Sequence, residues 1–489
     1  MQLLSPNEIE ANRVTPDQQQ EAYSVVRQAF WEKSTQRTKP NRFRDVYQSR
    51  LAEIYRISVP PGRKILEIGC AEGDLLFALQ PSFGIGIDLS PTVIERAQAK
   101  HPDLVFEVGN ANALTIEGKF DFIICSDILN ELWDVQKFLE RIAHNCHADT
   151  RILINLYSRL WEAPRRLAET LGLARRQLTQ NWLTVADTSS LLALAGFELI
   201  RTSSELMCPA PIPLIAGFLN KVAVKLWPFK HLGLTNFLVA RPQSGAHPRK
   251  EPVVTVVIAA RNEAGNISAI LDRIPTLGAG TDLVFVEGHS SDGTFEAIKQ
   301  EIAARPGCGA RVYQQTGKGK GDAVRLGFQM AKGELLMILD ADLTVPPEDL
   351  VVFYNAWLSG KGDFINGVRL VYPMEEKAMR FFNLVGNKFF SLAFSWLLGQ
   401  TVRDTLCGTK VLGRSQYQLL AANREYFGKI DPFGDFDLLF GAARYNLKIV
   451  DLPVRYRERK YGETNIQRWS QGLLLLKMVV LAARRIRFV

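Results

Sequence analysis

Apolar and polar positions follow one another along this chain in two rhythms, and the same succession of them occurs twice. The segments "RKILEIGCAEGDLLFAL" (63–79) and "PVVTVVIAARNEAGNISAIL" (252–271) each begin as a β-branched run, pass through a turn of small residues and continue with apolar positions at helical spacing. A continuous apolar run suits a strand buried on both faces, and the helix after it makes each segment the first βα unit of a parallel sheet. In the first half, strands are predicted at "FGIGIDL", "LVFEVG", "FDFIICS" and "RILINLY", with helices such as "SPTVIERAQAK" between them. That alternation predicts a doubly wound sheet. The second half repeats it with "DLVFVEG", "ELLMILDAD" and "FINGVRL" around helices such as "GDAVRLGFQMAK". The first 60 residues read as amphipathic helices leading into the first sheet.

The stretch "RPQSGAHPRKEP" (241–252) has neither rhythm and is rich in proline and polar residues, as a linker would be. The predicted organisation is an α/β protein of two domains: residues 1–245, a linker over 246–252, and residues 253–489. A chain of 489 residues is too long for one ordinary core, which agrees. A hydrophobic content of 47% with 22% charged residues excludes disordered and low-complexity classes.

Six cysteines without metal-ligand spacing, mostly inside apolar runs, read as the reduced thiols of a cytoplasmic protein. The N-terminal "MQLLSPNEIEANRVTPDQQQ" has no basic start and apolar core, so no signal peptide is expected.

The net charge of +8 is modest, but "RRLAETLGLARR", "KVAVKLWPFK" and "AARRIRFV" interleave basic and apolar residues. Such segments either face an anionic surface or are ordinary solvated helix faces. Two apolar stretches, 380–399 and 469–489, are interrupted by Asn383, Asn387 and Lys388 and by Lys477. They read as interfacial or core helices rather than membrane spans, and a peripheral contact with the inner face of a membrane is the matching expectation. No aromatic-basic recognition module occurs, so nucleic acid is not expected as a partner.

The turn "EIGCAEG" places Gly69 and Gly73 where backbone must pass close to a ligand and feed a helix N-terminus. Asp88 ends the next apolar run, where a carboxylate can accept hydrogen bonds from two ribose hydroxyls. The ordered set "LEIGCAEG", "GIGIDLSP", "GNANAL" and "FDFIICSDILNEL" resembles the class I S-adenosylmethionine-dependent methyltransferases over roughly residues 45–240. The resemblance implies a Rossmann-like methyltransferase sheet and S-adenosylmethionine as cofactor. It assigns Glu67, Gly69 and Gly73 to the methionine end, Asp88 to the ribose, and Asn110 with Ala111 to the adenine. Asp127 either caps the following helix or faces methyl donor and acceptor. The chain departs from the family at Ala71, where a glycine is usual, and at Asn110, where an aspartate is frequent. Those departures motivate a rival in which this half is only a binding or scaffold module.

In "ELLMILDADLTVPPEDL" (334–350), Asp340 and Asp342 end an apolar run one residue apart. Like charges at that spacing repel unless a cation lies between them, and hard oxygen ligands suit Mg²⁺ or Mn²⁺ shared with substrate phosphates. The strand period of two is expected to put both carboxylates on one face. Upstream stand "VTVVIAARNEAGNI", "FVEGHSSDGT" and "GKGDAVRLGFQMAKGELLMILDADL" in order. Together they resemble family 2 glycosyltransferases of the polyprenyl-phosphate (dolichol-phosphate mannose synthase-like) branch over about residues 252–466.

The resemblance implies a GT-A-type sheet, a nucleotide diphosphate-sugar donor, a polyprenyl-phosphate or glycan acceptor and an inverting single displacement. It puts Ala260, Asn262, Glu263 and Glu287 at the nucleotide, and Asp340 and Asp342 on the metal. Lys320 either approaches the phosphates or belongs to an exposed "GKGKG" loop. The acceptor-side motifs "RDTLCGTKVL" and "FGDFDLLFGA" offer Asp404 and Asp437 as base or acceptor contact, with turn and capping roles as alternatives. In the closing "YRERKYGETNI", Arg459 is placed to neutralise phosphate. Glu287–Gly288 and Asn465 depart from the family's two aspartates and its lysine.

Overall fold

The computed structural model describes residues 15–35, 42–172, 174, 176–369, 381–426, 434–459, 461 and 468–489. The chain divides into two compact units, 1–242 and 243–489, each an α/β structure on a seven-stranded sheet.

In the first unit the strands are β1 (Lys64–Ile68), β2 (Phe83–Asp88), β3 (Val105–Val108), β4 (Phe122–Ser126), β5 (Arg151–Tyr157), β6 (Phe197–Glu205) and β7 (Thr235–Pro242). Their order is β3-β2-β1-β4-β5-β7-β6, with β7 antiparallel to both neighbours and the rest parallel. Alternate residues serve opposite faces. Leu66, Ile68, Ile123 and Ile154 pack on one side with Phe138 and Leu192, while Ile65, Ile124 and Leu153 pack on the other with Leu51 and Tyr55. Arg241 and Pro242, expected in the linker, belong to β7: Arg241 is 2% exposed and its guanidinium pairs with Glu198, which keeps the strand running to its end.

The second unit has β8 (Val253–Ala260), β9 (Gly280–Glu287), β10 (Ala310–Gln314), β11 (Leu335–Asp340), β12 (Phe364–Val368), β13 (Lys410–Gly413) and β14 (Ile449–Pro453), in the order β10-β9-β8-β11-β13-β12-β14. Only β13 runs antiparallel to its neighbours. Both faces of β11 are buried, Met337 and Leu339 on one and Leu336 and Ile338 on the other. At roughly 1.5–3 kcal/mol per buried aliphatic side chain, this holds the strand end, and so Asp340, in place. The helix Lys320–Met330 lies on β8 so closely that a Cβ on Gly327 would stand 2.2 Å from Val257. That approach brings Lys320 to the ends of the central strands.

The helices Phe381–Leu398 and Arg468–Ala482 pack on each other. Leu475, Met478 and Ala482 are buried, while Leu473, Leu476, Val480, Phe389 and Leu392 are exposed. Among the described residues no helix is long and apolar enough to cross a membrane. Arg485 and Arg487 rest over the rings of Tyr426 and Trp396, at 5.2 and 5.1 Å.

Candidate active sites

In the first unit the predicted cofactor residues gather at the C-terminal ends of β1, β2 and β4. Glu67, next to last in β1, is 2% exposed, and its Oε2 has no hydrogen-bond partner among the described residues. Burial pushes its carboxyl up to about 8. Gly69 and Gly73 both take positive φ, at 79° and 78°, and Gly73 opens the short helix Asp74–Ala78. Asp88 accepts the backbone N–H groups of Ala71 and Ser90, both at 3.1 Å, which ties the glycine turn to the end of β2. Burial raises the Asp88 carboxyl against those bonds.

Asn110 is taken up by the protein: its Oδ1 accepts from the Asn112 N–H and its Nδ2 donates to Ser24 Oγ. Ala111 begins the single turn Ala111–Ala113 that Asn110 caps. Ser24 belongs to the helix Pro16–Thr35, which also sends Gln20 to the Asn112 carbonyl and Arg27 to Glu131 at 3.1 Å. This helix covers the predicted adenine corner, a placement that an amphipathic pattern alone does not disclose.

The side chain of Asp127 does not cap the turn that follows it. Both its oxygens accept from Tyr47 OH at 2.9 Å, and Asn155 Nδ2 donates to Oδ1 at 2.6 Å, with Tyr55 OH on Asn155 behind. Burial raises the Asp127 carboxyl to about 7. Tyr157 and Trp182 stand beside Tyr47 in a row of rings, 6.1 and 6.5 Å between centroids. Tyr47, Asn155 and Tyr157 were not singled out in the sequence, and no motif marks them.

In the second unit β11 stops at Asp340, and Asp342 lies in the turn beyond it. The two carboxylates do not share a strand face as the period of two predicts, and each meets its own cation. Lys320 Nζ is 2.5 Å from Asp340, so the lysine opens a helix and joins the site. Burial would raise the Asp340 carboxyl, but the Lys320 ammonium, with Lys410 and Arg369 nearby, holds it below its usual range. Asp342 accepts from Thr344 with Oδ1 and pairs through Oδ2 with Arg459 at 2.9 Å.

Arg459 also reaches Glu263 at 3.2 Å, and burial pushes Glu263 up to about 7 despite that partner. Tyr461, two residues on, lies over Gly265 and donates to Asp292 at 3.3 Å. Asn465 lies outside the described residues. Gly408 presses on the ion pair: a Cβ there would stand 2.0 Å from Asp340 Oδ2 and 2.1 Å from Lys320 Nζ.

The predicted nucleotide residues line the ends of β8 and β9. The Ala260 carbonyl accepts from the Gly288 N–H, Asn262 Oδ1 accepts from the Ser291 N–H, and Asn262 holds a positive φ of 58°. Glu287 is 1% exposed. Burial would raise its carboxyl, but donors from Ser290 and Gln314 hold it below its usual range.

The two residues expected as base or acceptor contact, Asp404 and Asp437, both lie against arginines. Asp404 is fully buried and spends both oxygens on Arg369, 2.7 and 2.9 Å, and on the N–H groups of Arg369 and Leu406. Asp437 turns to Arg325 at 3.4 Å and Arg424 at 3.6 Å. Besides Asp340, Lys320 lies in the field of Asp435, which is 3.6 Å from Lys410 Nζ. Positions i and i+2 of a helix lie about 200° apart, so Asp435 and Asp437 face opposite ways on Asp435–Arg444. Its place in the first helical turn was the signal available in the sequence.

Residues 255–417 match the family Glycosyl transferase family 2, and residues 60–195 match a Methyltransferase domain. Over its second unit the chain therefore belongs to glycosyl transferase family 2, and its first unit carries a methyltransferase domain. A dolichyl-phosphate hexose transferase of Haloferax volcanii is 30% identical over 228 residues, 46% of this chain and 92% of the relative. Glycosyltransferase AglJ of the same organism is 28% identical over 45% of this chain and 68% of its own length. An undecaprenyl-phosphate 4-deoxy-4-formamido-L-arabinose transferase of Aeromonas hydrophila is 31% identical over 43% of this chain, which spans 62% of that relative.

Proposed function

We propose that the second unit transfers a sugar, with inversion, from a nucleotide diphosphate-sugar to a polyprenyl phosphate, and that the first unit methylates a second substrate with S-adenosylmethionine. The observation that carries the glycosyl transfer is the paired arrangement of Asp340 with Lys320 and Asp342 with Arg459. Two cations bracket two carboxylates, so a donor diphosphate finds positive charge on either side of a metal-binding pair. Relatives named for dolichyl and undecaprenyl phosphates support that acceptor class, and the exposed Phe389, Leu392, Leu473, Leu476 and Val480 suit a membrane-borne one.

The donor set fits Mg²⁺ or Mn²⁺. Asp340 and Asp342 offer hard oxygens, Asp340 is held ionised, and such an ion completes its shell from phosphate and water. Bound there, it supplies charge neutralisation for the leaving diphosphate. Lys320 and Arg459 bind phosphate oxygens. The acceptor oxygen displaces the diphosphate at the anomeric carbon. A phosphate acceptor arrives ionised, whereas a hydroxyl acceptor would pass its proton to Asp435.

In the first unit the unpartnered Oε2 of Glu67 fits the ammonium of the cofactor's methionine end, and Asp88 fits the ribose. S-adenosylmethionine supplies an electrophilic methyl group. Asp127, with Tyr47 and Tyr157, orients the acceptor and can take a proton.

The test is transfer of labelled sugar from nucleotide diphosphate-sugars to polyprenyl phosphate with Mn²⁺. Transfer lost on chelation and in Asp342→Ala, with unchanged circular dichroism, supports the reading. No transfer from any donor sinks it.

A second reading, a first unit that only binds or positions, is favoured by Asn110, whose amide is already satisfied by Ser24 and Asn112. Calorimetry with S-adenosylmethionine tests the cofactor site, since binding abolished by Asp88→Ala supports it and no binding supports a unit that only positions; methyl transfer to an acceptor then separates methylation from binding alone.

A further inference from the structure

The basic-apolar segment "KVAVKLWPFK" plays no part in either candidate site, yet it lies beside the end of β5. After Tyr157 the chain passes through Arg159–Trp161, and the long connection from β6 to β7 returns to the same place. Ser158 N–H donates to the Leu234 carbonyl at 2.9 Å, and Trp161 Nε1 donates to the Leu232 carbonyl at 3.2 Å. Within that connection the helix Ile215–Lys221 packs on the turn Ala223–Lys225, which packs on the turn Phe229–Leu232. These contacts join the segments into one surface. Leu214 is 92% exposed on it, Trp227 78% and Phe218 59%, with Phe229 and Leu232 also open to solvent. Single exposed leucines are ordinary; a joined group that includes a tryptophan and phenylalanines marks an interaction surface.

The connection itself carries charge of one sign. No acidic residue occurs between Glu205 and Glu251, while Lys221, Lys225 and Lys230 do. Lys225 is held by buried Glu205 of β6 and Lys221 by Glu53 of the helix Arg42–Ser58, which anchors the connection to both. Lys230, next to Phe229, is exposed, as is Arg159 on the adjoining turn. Apolar side chains with a tryptophan among them, and exposed Lys230 and Arg159 at their edge, match the interface of an anionic bilayer. A two-fold self-association would set this positive surface against itself.

We propose that this surface of the first unit, centred on Leu214, Phe218 and Trp227, docks on an anionic phospholipid bilayer. The docking is independent of whether the unit transfers methyl groups.

The test uses the full chain and sedimentation with phosphatidylcholine vesicles, with and without phosphatidylglycerol. The variant Leu214→Ser/Phe218→Ser/Trp227→Ser alters only exposed side chains, so circular dichroism should be unchanged while vesicle binding falls more than about tenfold. Lys230→Gln should weaken binding to the phosphatidylglycerol vesicles alone. Brominated lipid should quench tryptophan emission in the wild type, and less in Trp227→Phe, which keeps the binding. Equal binding by the triple variant and the wild type overturns the proposal, as does absence of wild-type binding. A wild-type dimer that the triple variant splits would assign the surface to a second copy and overturn it as well.

Discussion

Arg459 reaches back across 117 residues of chain to place one guanidinium nitrogen 2.9 Å from Asp342 and another 3.2 Å from Glu263. One side chain thus links the closing loop, the carboxylate pair and the turn after β8. Arg459→Ala removes a charge-assisted contact of about 1.5–3 kcal/mol, so kcat/KM for the nucleotide-sugar should fall roughly 10- to 100-fold. Arg459→Lys should recover only part, because a lysine cannot serve two carboxylates with a fork. Steady-state kinetics of both variants check this.

Gly408→Ala is expected to separate folding from transfer. The added methyl collides with Asp340 Oδ2 and Lys320 Nζ, which are side-chain ends that can move aside. The melting temperature should therefore change little, while displacement of the ion pair removes transfer. Thermal unfolding beside an activity assay reads both.

The three aspartates of the acceptor motifs should behave differently. Asp404→Asn strips the partner from Arg369, which lies in a nearly closed site, and should destabilise the unit by about 3–5 kcal/mol in urea unfolding. Asp435→Asn should keep the fold and reduce transfer. Asp437→Asn, which weakens the partly exposed Arg325 and Arg424 contacts, should keep both.

Glu67 predicts a pH dependence for the first unit. Its carboxyl titrates near 8 in the folded state against 4.5 as its ordinary value, so the folded chain holds a proton that the unfolded chain has released. The sign follows: this contribution to stability is full below about 4.5 and is lost as pH rises through 8. Asp127, raised to about 7, loses its share over a similar window. Glu67→Gln should match the wild type near pH 4 and exceed it by a few kcal/mol at pH 9. Denaturant titrations across that range test it.

Both sheets were readable because parallel strands buried on two faces are mostly apolar, as β1, β4, β8 and β11 are apart from residues such as Glu67 and Thr255. The glycine turn, Asp88, and the pair Asp340 and Asp342 were readable for a related reason. Polar residues at the end of an apolar run stand at the end of a strand wherever the strand lies.

Partnership across the sheet was not readable. That Lys320 meets Asp340 depends on how closely Lys320–Met330 lies on β8, and that Arg459 meets Asp342 depends on a loop returning after many residues. That Asp435 rather than Asp437 faces Lys410 required the phase of a helix against its neighbours, which spacing in the sequence leaves free. Tyr47 and Asn155 come from a helix and a strand with no motif of their own, and only packing brings them onto Asp127. By itself the sequence determined two α/β units and which residue types end their strands, because burial acts on each segment locally. The tertiary structure alone decided which of those ends face a common charge, because hydrogen bonds and ion pairs act over a few ångströms in space regardless of separation along the chain.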